Sequence, residues 1–217
     1  MHPASDLSPR QRIGLVIAII ALEVGLSPLN LHFRVWLRDK VVGGAPFWAD
    51  HLFFMMTLLV VVWAAIGYLI LGSGGLFLGK PERPREAWWM GIATGFVLTG
   101  VVAGAVAILG PLVIEWHPNY PVMLANFVSN WYEEFVFRGV ILALLLRALG
   151  NRPPWIAATI STLLFLQGHL TYPPVLLAAV FIGGYLWAWM TIRYRSLWPA
   201  WVSHTVADTI VDALIKV

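Results

Sequence analysis

Glu133, Glu134 and Arg138 place two adjacent carboxylates and a guanidinium inside an otherwise apolar run. Residues 139–146, which follow, carry no polar side chain. On a helix, Glu134 and Arg138 are four apart and face each other. Glu133 is turned about 100° away, onto the face that holds Asn126, Ser129 and Asn130. Arg138 therefore neutralises Glu134, and Glu133 keeps a polar lining without a cation. Two further pairs lie downstream. Phe165 and His169 share a face by the same spacing, and so do His204 and Asp208.

A Glu, two His and an Asp in one cavity suit two chemistries. A carboxylate and an imidazole can activate water while a second imidazole and its partner stabilise an oxyanion. Alternatively, Glu133, His169 and His204 can ligate a divalent metal such as zinc. Ser129, Ser161 and Ser203 lack the context of a nucleophile motif. The chain has no cysteine, which removes the thiol nucleophile, thiolate metal sites and disulfides.

The elements that position these groups are read from composition and breakers. The 217 residues are 59% hydrophobic and only 12% charged, against about 25% charged in soluble domains. The mean hydropathy is +0.78. These values predict an all-α, polytopic transmembrane bundle of about seven spans, which leaves no length for a soluble domain. The spans run over about 13–31, 51–71, 87–114, 121–149, 155–170, 175–192 and 197–215. The links include a Gly43-Gly44 turn and the Gly150–Pro154 break, with glycine at a helix exit and proline at the next entry. Gly91 and Gly95, and Gly100 and Gly104, have the spacing that lets helix backbones approach closely. Trp36, Trp48, Trp88, Trp89, Trp116, Trp155, Trp198 and Trp201 lie near span ends, as interface anchors do. Glu23, inside the first span, reads as a packing-face residue paired within the bundle. Asp212 reads as a solvated residue near the interface.

The net charge of +3 reflects membrane-flanking cations and excludes a nucleic-acid surface. With the N-terminus inside, Arg10, Arg12, Lys80, Arg83, Arg85, Arg147, Arg152, Arg193 and Arg195 are cytoplasmic. Arg34, Arg38, Lys40 and Lys216 lie opposite. Nine against four predicts a multi-pass cell-membrane protein with a cytoplasmic N-terminus and an extracytoplasmic C-terminus. Each ionisable group at mid-bilayer costs roughly 2.5–3.5 kcal/mol on insertion scales. A cavity shared by three helices satisfies them most economically.

Three motifs in order, Glu133-Glu134-Phe135-Val136-Phe137-Arg138, Phe165-Leu166-Gln167-Gly168-His169 and His204-Thr205-Val206-Ala207-Asp208, resemble the signature of the CPBP family. That family comprises the CAAX prenyl endopeptidases and the Abi-type intramembrane proteases. The resemblance covers about residues 121–212. It implies a catalytic helical core over 121–217, made by the last four spans, behind three N-terminal spans in 1–120. It implies an intramembrane endopeptidase of glutamic type, without a cofactor, acting on a protein or peptide substrate in or at the membrane. Glu133 and His169 would activate water, and His204 with residue 208 would hold the oxyanion. Glu134, Arg138, Asn130 and Phe165 would support the site. Asp208 departs from the Asn of the CAAX enzymes, and an ionised Asp cannot donate to an oxyanion. A metal-dependent protease using the same residues, a non-catalytic bacteriocin-immunity or interaction protein, and a proton-coupled transporter are the alternatives.

Overall fold

Ser8 starts the first helix, α1 (Pro9–Trp36), with a capping box. Its hydroxyl accepts from the Gln11 amide, and the Gln11 side chain accepts from the Ser8 amide. The computed structural model describes residues 7–41, 43, 46–53 and 57–216. Gly44 of the expected turn and residues 54–56 of the expected second span lie outside these. After α1 come α2 (Phe47–Phe53) and α3 (Thr57–Leu71), then α4 (Pro84–Leu109). A single helical run follows: α5 (Tyr120–Glu134), a π-helical stretch over Phe135–Ile141, and α6 (Leu142–Leu149). The chain ends with α7 (Pro154–Leu166), a 3-10 turn over Gln167–His169, α8 (Pro174–Tyr194) and α9 (Trp198–Leu214).

Several boundaries differ from the sequence reading: α1 runs on to Trp36 rather than about residue 31, and α7 gives way to the 3-10 turn after Leu166. The helix expected to reach residue 114 stops at Leu109, because Pro111 disfavours helical geometry at Gly110, whose φ is 177°. Residues Val113–Ile114 instead form β1, antiparallel to β2 (Ile215–Lys216), where the last helix gives way one residue early.

The chain is an all-α membrane protein. Among the described residues, Pro9–Lys40, Pro84–Leu109 and Pro174–Tyr194 are long and apolar enough to cross a bilayer, and α3 is a shorter apolar helix. Large apolar side chains face outward, Leu69 at 82% and Ile108 at 75% exposure, where lipid rather than water is the compatible neighbour.

Small residues set the close packing. A β-carbon at Gly91 would come within 2.7 Å of the Pro199 carbonyl oxygen, and one at Gly95 within 2.7 Å of Val206. The first Gly-x-x-x-Gly pair is thus the seat of α9 on α4. Gly100 and Gly104 meet nothing within 4 Å. Glu23 is fully buried and accepts from Trp63 Nε1 at 2.6 Å and Ser27 Oγ at 2.7 Å, tying α1 to α3. Asn30 Oδ1 accepts from the first amides of α3.

The cation-bearing ends converge. Arg12 lies against Gly150, whose φ of +58° and lack of a β-carbon make room for the guanidinium. Arg147 donates to the Ile70 carbonyl at 2.8 Å, Arg193 pairs with Glu86 at 2.9 Å, and the Leu197 amide donates to Phe77. The start of α1, the end of α3, the start of α4, the end of α6 and the α8–α9 link therefore share one end of the bundle. At the other end the Glu115 and His117 amides bond Leu214 and Ala213.

Candidate active site

The π-helical stretch begins directly after the two glutamates. Its widened turn places the Phe137 carbonyl to accept from the Leu142 amide and from Ser161 Oγ at 2.8 Å, which ties α7 to the run. Such π turns recur at functional sites. Here the turn follows the helix end that carries Glu133 and Glu134, and it carries Arg138 itself.

Arg138 has no exposed surface. Its Nε lies 3.4 Å from Glu134 Oε2, and Nη2 donates to the Gly184 carbonyl of α8 at 3.1 Å. The guanidinium stacks 4.4 Å from the Phe165 ring centroid and 5.3 Å from that of Trp187, contacts that stabilise a desolvated cation. A β-carbon at Gly184 would sit 3.1 Å from Nη2, so glycine leaves the space the guanidinium needs. Phe165 is therefore the aromatic floor of the ion pair.

Glu134 does more than the sequence reading assigned to it. Besides Arg138, it binds His204 Nδ1 through Oε1 at 2.9 Å. As a carboxylate it only accepts, so Nδ1 is the donor. The other ring nitrogen, Nε2, lies 3.8 Å from Glu133 Oε2 and 3.4 Å from Asp208 Oδ2. Trp187 stacks on the same imidazole at 3.8 Å between centroids and 21° between planes, and anchors its own Nε1 on Ser203 Oγ at 3.0 Å.

The imidazole beside Glu133 is thus His204, whereas the sequence reading paired Glu133 with His169. His169 lies at the end of the 3-10 turn, half-buried, with Nδ1 3.3 Å from the Phe165 carbonyl. Its ring contacts Phe165 at 4.8 Å and Tyr172 at 5.4 Å. A proton on Nδ1 would leave Nε2 as an acceptor. Burial, and then the charges of Asp208, Glu133 and Asp212, push the Tyr172 phenol above its ordinary value, which keeps it neutral. Asn130 is 3% exposed on α5. Asp212, expected to be solvated, accepts from Asn126 Nδ2 at 2.5 Å.

The two glutamates and His204 are buried, and the Asp208 side chain is 41% exposed. The polar cluster is therefore roofed by the bundle and opens past Asp208, on the side of His169 and Tyr172. Among the described residues, no three His or acidic side chains are placed to grip one metal ion.

This cluster falls wholly within residues 115–210, which match the family described as Type II CAAX prenyl endopeptidase Rce1-like. The segment is similar to that family over these residues. The matching family is described as one of proteases, and Pro174–Tyr194 within the Rce1-like segment is long and apolar enough to cross a membrane. No curated protein and no solved structure matches the chain.

Sequence reasoning missed Trp187, Ser203, Ser161 and Gly184 in the Rce1-like segment. One signal was present: Trp187 lies mid-span, too far from an interface to be an anchor, three residues after Gly184.

Proposed function

We propose that this chain is an intramembrane endopeptidase of glutamic type, with its catalytic core in residues 121–217. The observation that carries the reading is the convergence of Glu133, Glu134 and Asp208 on His204 at 2.9–3.8 Å, from two helices inside an apolar bundle.

Glu133 is the general base. It takes a proton from water as the water oxygen bonds to the scissile carbonyl carbon and the π electrons move onto the carbonyl oxygen. His169 orients that water through Nε2. His204, held by Glu134 and Trp187, offers Nε2–H to the developing oxyanion when doubly protonated. The intermediate collapses, the C–N bond breaks, and Glu133 returns the proton to the leaving amine. Arg138 neutralises Glu134, so that Glu134 orients His204 without competing for the water proton. Asp208 stands at the mouth beside Nε2.

The substrate is a membrane-associated or C-terminally tailed protein or peptide. The family description supports a prenylated CAAX tail as the first probe. With the N-terminus cytoplasmic, the mouth at Asp208, His169 and Tyr172 faces the extracytoplasmic side of the cell membrane. The cationic ends gathered at the opposite end of the bundle support this orientation.

Comparative membrane proteomics of cells with and without the gene tests the reading. Proteins retaining an uncleaved tail only in the deletion strain are expected, and identical termini in both would overturn it. Purified protein that loses cleavage on chelation and regains it with zinc would favour the metal-dependent alternative.

A further inference from the structure

Two side-chain pairs link α5 and α9 as rungs at matching intervals, beside the bond from Trp201 Nε1 to the Phe127 carbonyl. Asn126 meets Asp212, and Glu134 meets His204. Eight residues along α5 match eight residues back along α9 between these two pairs, so the helices run antiparallel; Trp201 and Phe127 do not share that spacing. Midway between the rungs stand Asn130 on α5 and Asp208 on α9, each about 6 Å along its helix from both rungs. This middle rung is not closed. Asn130 Nδ2 is buried and makes no hydrogen bond, and the Asp208 carboxylate turns to His204 Nε2 instead.

An unmet buried donor destabilises a fold unless something else uses it. Asn130 is one turn before Glu133, about 4.5 Å along the axis, and on nearly the same face. A carbonyl attacked by water at Glu133 therefore develops its negative charge beside this helix face. The site is otherwise rich in acceptors there. Glu133 and Asp208 are carboxylates, and Glu134 occupies His204 Nδ1. An ionised Asp208 has no proton to donate.

We infer that Asn130 is a catalytic residue whose carboxamide N–H donates to the oxyanion of the tetrahedral intermediate, supplying the donor that Asp208 lacks. The inference rests on the endopeptidase reading above. The bond strengthens as charge moves onto oxygen, so it acts on turnover more than on binding. Asp208 lies 3.4 Å from His204 Nε2 and Asn130 Nδ2 makes no hydrogen bond, which leaves the Asn130 donor free for substrate.

The test uses the full-length protein in phospholipid nanodiscs and an internally quenched, farnesylated CAAX peptide. Wild type, Asn130→Ala, Asn130→Ser and the double variant Asn130→Ala/Asp208→Asn are compared for kcat, KM and thermal unfolding midpoint. Asn130→Ala is expected to lower kcat about a hundred-fold with KM changed less than about three-fold, as loss of one oxyanion donor does. Asn130→Ser, which keeps a shorter donor, is expected to fall between. The double variant restores a carboxamide donor across the same rung and is expected to regain at least about ten-fold in kcat. Asn130→Ala turning over within about three-fold of wild type overturns the inference. So does a loss confined to KM, or a double variant no better than Asn130→Ala. If Asn130→Ala does not fold, Asn130→Ser and the double variant decide by the same criteria. A wild type that leaves the peptide intact strikes the endopeptidase reading itself, which separates the two failures.

Discussion

Arg138→Met is the perturbation whose magnitude the geometry fixes best. Methionine keeps the unbranched stem but removes the guanidinium and its contacts with Phe165 and Trp187. Glu134 is then left fully buried with no cation 3.4 Å away, and the Gly184 carbonyl loses its donor. Breaking one side of a buried ion pair costs about 3–5 kcal/mol, which is roughly two to nearly four orders of magnitude in the folding equilibrium. Glu134→Gln/Arg138→Met removes both charges while a carboxamide oxygen still accepts from His204 Nδ1. It should recover most of that loss, since an uncharged pair of similar volume avoids the uncompensated charge. The assay is the thermal unfolding midpoint of nanodisc-embedded protein, read by tryptophan fluorescence, alongside abundance in the membrane. Arg138→Met as stable as wild type, or a double variant less stable than the single one, would refute the assignment of Arg138 as the counter-ion of Glu134.

Other expectations follow from single contacts. Gly95→Val should disrupt the α4–α9 seat, costing about 1–3 kcal/mol by overpacking against Val206 and the Ser203 carbonyl. Gly104→Val, where space is open, should be neutral; unfolding midpoints compare the two. Trp187→Leu removes the ring stacked on His204, worth about 0.5–1.5 kcal/mol, and should lower kcat up to roughly ten-fold, as steady-state kinetics on the farnesylated peptide would show. A single cysteine at Thr171 should react with an impermeant maleimide from outside the cell and one at Asn151 only from the cytoplasm, and the reverse pattern would invert the orientation.

The helical, membrane-type character and the motif spacings were legible because hydropathy and four-residue spacing are local properties. The ion pair of Glu134 with Arg138 follows from helix geometry alone. The register of α5 on α9 was not legible, because a sequence does not state which helices touch. That packing brings His204, in addition to Arg138, to Glu134, and brings Asp212 onto Asn126. The π turn over Phe135–Ile141 was equally hidden, since its carbonyl partner Ser161 lies on another helix. The role of Trp187 was not legible, because stacking on an imidazole has no sequence spacing. The helix end at Leu109, by contrast, was marked by Gly110-Pro111 and overridden by the apolar run around it.

The central claim, that Glu133 is the base of a peptide hydrolysis, is tested most directly by Glu133→Gln. Glutamine keeps the shape and hydrogen bonding of the side chain but cannot take the water proton. Wild type and variant, reconstituted at equal amounts in phospholipid vesicles, are incubated with the farnesylated CAAX peptide, and products are followed by mass spectrometry. The account predicts release of the C-terminal peptide by wild type and a rate for Glu133→Gln lower by at least about a hundred-fold, with the variant as abundant and thermally stable as wild type. Cleavage by Glu133→Gln at near the wild-type rate would contradict it.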